Sequence, residues 1–154
     1  MFVLKLIIGI GAIVIAVKIA KDKSDVIKNE YLYFNGLVNF CDKVLSDLSF
    51  KKSKLEYLLT LEFNSKDLNL TLSTFKNEKI IFPAYLNKDE EFLIIDFLTS
   101  LGKSDVESQI KNVIAFKKEF IKISNEKYER YTKTNKLFVK LGFVSGLLIF
   151  ILVI

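Results

Sequence analysis

The sequence predicts an all-α protein, an antiparallel helical bundle flanked by two transmembrane helices. Three observations carry that reading. From Lys103 through Leu141 there is neither glycine nor proline, so nothing local stops a helix. Apolar residues recur every three or four positions through most of the chain. Both ends, 1–20 and 137–154, are apolar and carry few charges, whereas 27% of the whole chain is charged.

The first element, 1–20, is uncharged from Leu6 to Val17, with Lys5 and Lys18 placed to snorkel outward. As a helix, residues 2–20 would reach roughly 28 Å, enough for a bilayer core. A secretory signal is the rival reading. Lys18 and Lys21 follow the apolar run and no small-x-small cleavage site closes it, which favours a retained anchor. Lys18, Lys21, Lys23 and Lys28 flank its C-terminal side, so the positive-inside rule places the following residues in the cytoplasm. Lys127, Arg130, Lys133, Lys136 and Lys140 precede or open the last apolar run, 137–154, and imply the same orientation. The expected organisation is a membrane helix at 1–20, a cytoplasmic helical domain with a stalk at 21–136, and a second membrane helix at 137–154.

Within 21–136 the first helix is expected over Asp22 to Phe50. Ile27, Tyr31, Phe34, Val38, Cys41, Leu45 and Leu48 step by four and three and form its seam, with Gly36 off it. Val26 and Ile27 are expected to face Tyr128 and Tyr131 in a two-helix stalk. Ser53 with Glu56 offers a capping box ahead of a short helix carrying Leu55, Leu58 and Leu59. Residues 67–76 are ambiguous: Leu68, Leu70 and Leu72 alternate as in a strand, while Leu68, Leu72 and Phe75 are spaced as in a helix. With no partner strand in view, the helix is preferred. Asn77 to Leu86, with the sole proline, Pro83, reads as an apolar loop or turn covering the core. Asn87 with Glu90 caps a helix to about Ser100, with Leu93, Ile94, Phe97, Leu98 and Leu101 apolar and Gly102 as its C-terminal stop. Ser104 with Glu107 then opens one long helix to Ile154, whose core face holds Val106, Ile110, Val113, Phe116, Phe120 and Ile123.

Charge and chemistry narrow the function. Of 23 bases, 20 lie between Lys21 and Lys136 against all 18 acids, so that region carries only 20 − 18 = +2. The basic balance is therefore partly a membrane-flank effect, and with one arginine there is no stripe for nucleic acid. One cysteine excludes an internal disulfide; Cys41, inside the seam, reads as a small buried hydrophobe. There is no histidine, phosphate-cradling glycine loop or metal-ligand spacing, so no cofactor, metal, small-molecule substrate or catalytic group is expected. Asp89-Glu90-Glu91 is the favourable acidic first turn of a helix. For an enzymatic reading only Asp96 and Glu119, flanked by apolar runs, offer acids. In the membrane ends, Gly142, Ser145 and Gly146 and, opposite, Ala12, Ala16 and Ala20 have the spacing of close-packing ridges; ordinary membrane-helix composition explains them as well.

Several stretches resemble a known family. Leu101-Gly102-Lys103-Ser104-Asp105, followed by Glu107, Gln109 and Lys111, resembles a signature of stage III sporulation protein AB. So do Asn125-Glu126-Lys127-Tyr128, Lys140-Leu141-Gly142 with Gly146-Leu147-Leu148-Ile149, and the opening Leu4-Lys5-Leu6-Ile7-Ile8-Gly9. Where that family commonly has Thr-Pro-Leu-x-x-Ala-Leu, this chain has Ser53-Lys54-Leu55-Glu56-Tyr57-Leu58-Leu59. The resemblance implies a helical domain similar to the cytoplasmic domains of the type II secretion inner-membrane platform protein. It also implies a place in the channel complex between mother cell and forespore, beside a secretion-type ATPase and other sporulation channel proteins. The expected function is a non-catalytic platform on membrane lipid, with its central domain on the mother-cell side. The alternative is a membrane-tethered helical regulator of a cytosolic protein.

Overall fold

The computed structural model describes residues 2–50, 55–77 and 79–153; within the helices, the side chains of 2–10, 12, 13, 15–17, 20, 139, 143, 146, 147 and 149–153 are left out of the description. Five helices make up the described chain: α1 (Phe2–Phe50), α2 (Leu55–Leu58), α3 (Lys66–Phe75), α4 (Lys88–Ser100) and α5 (Val106–Val153). Among the described residues there is no strand, so the ambiguous 67–76 segment is helical. Two compact units are drawn from these elements: Asn29–Lys127, and 1–28 together with 128–154.

In the first unit, α1 supplies the widest buried stripe. Tyr33, Phe34, Leu37, Phe40, Cys41 and Val44 are buried. This corrects the expected seam: Val38, Leu45 and Leu48 are only partly buried, and Tyr33, Leu37, Phe40 and Val44 take the centre. The physical reason is that α1 is packed on by three helices, not one. Its Tyr33 donates to Thr71 of α3, its Phe40 ring lies 6.0 Å from Phe97 of α4, and its Phe34 ring lies 6.5 Å from Phe120 of α5. A heptad seam describes only one such contact. Gly36 is likewise not idle. It is buried, and a Cβ there would sit 2.6 Å from Leu68 Cδ2, so glycine is what lets α3 approach α1.

α3 begins at Ser65, whose hydroxyl accepts from Leu68 N at 3.3 Å. Asn69 closes the preceding loop, accepting from Phe63 N at 2.9 Å and donating to Phe63 O at 3.0 Å. Ile81 N donates to Thr74 Oγ1 at 3.2 Å, and Thr71 Oγ1 lies 2.9 Å from Ile81 O, so the loop before α4 is tied to α3. Phe82 and Tyr85 from that loop pack on the core and Leu86 is buried in it, as the expected lid requires. The Ser53 cap expected ahead of α2 lies outside the described residues.

α4 has the expected capping box and buries Ile94, Phe97 and Leu98. Gly102 follows it at φ +78°, a left-handed conformation that costs L-residues about 1–2 kcal/mol. α5 starts one residue later than expected. Asp105, not Ser104, is the cap: its carboxylate accepts from Ser108 N at 3.0 Å, and its carbonyl accepts the first helical bond from Gln109. Aspartate caps at least as well as serine, and Asp105 directly precedes the first helical residue. Glu107 then cannot reach back; it pairs along the helix with Lys111. Val113 and Phe120 are fully buried, whereas Val106 is exposed in the first turn.

In the second unit the two terminal segments are helical from Phe2 and to Val153, with no break at 20/21 or 136/137. Among the described residues, no helix is long and apolar enough to cross a membrane. Most side chains of the two apolar runs fall outside that description.

Candidate functional site

One polar cluster closes the end of the Asn29–Lys127 core. Its centre is Lys127 of α5. The ammonium lies 2.8 Å from Glu90 Oε1 of α4 and 3.3 Å from Glu30 Oε2 of α1. These side chains are shielded, with exposures of 15% for Lys127, 10% for Glu90 and 7% for Glu30. The same ammonium sits 5.8 Å from the centroid of the Phe34 ring, within cation–π range.

The helix geometry that builds this is local. Asn87 accepts from Glu90 N at 2.8 Å, and Glu90 Oε2 accepts from Asn87 N at 3.1 Å. This reciprocal cap fixes the Glu90 rotamer so that Oε1 meets Lys127. Glu30 lies one turn before Phe34 on α1, and the sequence spacing of four stacks the carboxylate and the ring on one face. One ammonium therefore joins three helices.

Two tyrosines extend the polar belt toward α3. Tyr33 donates to Thr71 Oγ1 at 3.1 Å, and Tyr85 donates to Asp67 Oδ2 at 2.7 Å. Their rings meet edge to face at 6.3 Å. Burial pushes both phenols well above their usual range; for Tyr85 the hydrogen bond to ionised Asp67 adds to the effect. Beside them an open groove is lined by Asn29, Leu32, Phe63, Asn64, Ser65, Lys66 and Asp67. Deeper in the core, burial pushes the Cys41 thiol up to about 12, with nearby Asp42 acting in the same direction and Lys117 against it. A protonated, enclosed thiol is a packing group.

The sequence-predicted residues fall elsewhere. Leu101 is buried, Gly102 makes the turn, Asp105 caps α5, and Gln109 is buried one turn on. The backbone hydrogen bond from Ser108 holds the Asp105 carboxyl below its usual range. Ser104 and Glu107 are exposed. The family-like signature thus folds as a helix–turn–helix corner, stitched by Asn112 Nδ2 donating to Ser100 Oγ at 2.9 Å. Of the small residues in the terminal segments, Ser145 donates to Gly142 O at 3.1 Å, and a Cβ at Gly142 would meet nothing within 4 Å. The surroundings of Ala12, Ala16, Ala20 and Gly146 lie outside the described residues. Asp96 and Glu119 are exposed on different helices. Among the described residues, no group of three or more acidic, cysteine or histidine side chains could hold a metal ion.

Sequence reasoning missed Glu30, Glu90 and Lys127 as a set. A signal was present: Lys127 falls seven residues after Phe120 and four after Ile123, on the apolar face of α5, where an unpaired lysine would not be tolerated.

Fold and site together define a class: an all-helical core closed by a buried charge cluster, with terminal helical segments that form a compact unit of their own. The family model of stage III sporulation protein AB matches residues 74–154, more than half of the chain. The chain belongs to the stage III sporulation protein AB family and is therefore a sporulation-related protein. The match contains the 101–111 corner, Asn125–Tyr128 and the terminal apolar run; the opening segment and 53–59 lie outside it. No curated protein and no solved structure matches the chain.

Proposed function

We propose that this chain is a non-catalytic membrane platform in the secretion-like channel complex between mother cell and forespore. Residues 1–20 and 137–154 anchor it in the cell membrane. The helical core lies on the mother-cell cytoplasmic side, where it docks a secretion-type ATPase and neighbouring channel proteins.

The observation that carries this reading is the family match, which covers α4 and α5 with Glu90 and Lys127 and ends in the apolar segment. The grouping of 1–28 with 128–154 in one unit supports anchors that pair within one chain. Lysines bracket the apolar runs on the core side, the side that stays in the cytoplasm. Lys140 lies at the start of its run, where its stem can carry the ammonium back to the interface.

The test has two parts. Alkaline washing of membranes should leave the full chain in the pellet, and the detergent-solubilised chain should co-purify with the ATPase. Release by the wash would remove the anchors. Retention of both ATPase recruitment and spore formation after deletion of residues 29–127 would remove the platform role.

A further inference from the structure

α4 and α5 present complementary outward faces that neither helix uses for its own core. On α4, Phe92 is 72% exposed. Asp89 and Asp96 flank it at spacings of three and four, so all three share one face. Lys88 is the one base beside them. On α5, Ile114 and Ile121 are 41% and 38% exposed. Lys118 stands between them at spacings of four and three, and Lys122 follows four residues after Lys118. Asp89, Asp96, Lys118 and Lys122 are all exposed, and none has an ion-pair partner among the described residues. One face is therefore an aromatic residue between two carboxylates, and the other is two isoleucines interleaved with two ammonium groups.

Within one chain these faces do not meet. α4 and α5 pack through their opposite sides: the Phe97 ring lies 5.3 Å from both Phe116 and Phe120. The two outward faces point away from that shared contact. Neither face is covered by the other within the chain, and each matches the other in charge and apolar character. We propose that a second copy of this chain seats its α4 face, Asp89–Phe92–Asp96, on the α5 face, Ile114–Lys118–Ile121. Phe92 enters between the two isoleucines, and the carboxylates meet Lys118 and Lys122. A contact between two different faces leaves one of each free at the ends, so it propagates into a ring or an open array. This assembly goes beyond the platform reading and stands whether or not an ATPase docks on the core.

The experiment uses the full chain in detergent. Phe92→Cys and Ile121→Cys are made separately; native Cys41, buried and protonated, does not compete. On mild oxidation a mixture of the two should give a disulfide-linked dimer, and the double variant a ladder of higher species. Each single variant alone should form no disulfide-linked species. Charge reversal, Asp89→Lys/Asp96→Lys or Lys118→Asp/Lys122→Asp, should abolish association by sedimentation. Mixing the two reversed proteins should restore it, because each reversed face then finds its complement. A self-linked dimer from either single variant would show a symmetric contact and overturn the proposal. So would association indifferent to charge reversal, or a wild-type chain that sediments as a monomer up to millimolar concentration. Helical circular dichroism and unchanged Cys41 reactivity confirm that the variants are folded.

Discussion

Lys127→Met isolates the contribution of the charge cluster. The substitution keeps an unbranched side chain of similar length on α5 and removes the ammonium that lies against both Glu30 and Glu90. Two shielded carboxylates, with exposures of 7% and 10%, then lose the ammonium they share. Removing one partner from a buried pair costs about 3–5 kcal/mol, because the remaining charge keeps its desolvation penalty. Lys127 retains 15% exposure, so water reaches the site and the lower figure, about 3 kcal/mol, applies. At 1.36 kcal/mol per decade this is roughly a 150-fold change in the population of the opened core.

The chain supplies its own reporter. Cys41 is its sole cysteine and is buried in the core that the cluster closes. Where reclosing outruns alkylation, the rate of Cys41 modification tracks the opened population. Lys127→Met should raise that rate roughly 150-fold at neutral pH. A triple replacement, Glu30→Leu/Glu90→Gln/Lys127→Met, should recover most of the loss. It removes both shielded carboxylates together with the ammonium, while the amide introduced by Glu90→Gln can still serve the Asn87 cap. A rise below about fivefold for Lys127→Met, the range of an exposed pair, would refute the view that this cluster locks the three helices.

Four further outcomes follow from the same core. Phe97→Ala removes the ring that touches Phe40, Phe116 and Phe120 and should cost about 3–5 kcal/mol by denaturant midpoint. Gly36→Ala should destabilise despite the better helix propensity of alanine, since its Cβ meets fully buried Leu68; Leu68→Ala should then cost less in the Gly36→Ala background than alone, as a double-mutant cycle would register. Gly102→Ala should cost about 1 kcal/mol through its positive φ, with Gly102→Asn milder, in thermal unfolding. Alkaline pH should weaken the core. Cys41, Tyr33 and Tyr85 all stay protonated in the fold above their ordinary values of 9.0, 10.0 and 10.0, so their contribution is complete below about pH 9 and is lost progressively as pH rises toward 12. Tyr33→Phe should flatten that decline in Cys41-independent unfolding by circular dichroism, and an unchanged slope would count against the buried phenol.

The parts of the fold that are legible in the sequence are those specified by neighbours in the chain. The Asn87–Glu90 cap, the Gly102 stop and the buried trio Ile94, Phe97 and Leu98 need only a window of about fifteen residues to recognise. Helix α3 is readable in the same way once no strand partner can be found for Leu68, Leu70 and Leu72. The cap of α5 falls one residue from its expected place because Ser104 and Asp105 are adjacent and chemically equivalent as caps; only the backbone decides which of them precedes the first helical turn.

What is not legible depends on how many partners a helix has. A three-and-four pattern identifies a stripe, and α1 carries two such stripes side by side, Tyr31–Phe34–Val38–Cys41 and Tyr33–Leu37–Phe40–Val44. With a single partner helix the first would have been the core. Packed by α3, α4 and α5, α1 buries the second whole together with Phe34 and Cys41 of the first, and leaves Tyr31 and Val38 only partly buried. The same multiplicity explains the charge cluster. Glu30, Glu90 and Lys127 each look like a solvated residue when read alone, and their wheel positions become informative only when all three point to one place. A lysine on an apolar face, four residues beyond Ile123, is therefore a demand for acceptors elsewhere in the chain. The two glutamates that answer it lie 37 and 97 residues away in sequence, separations read from 127 − 90 and 127 − 30, beyond the reach of any local pattern.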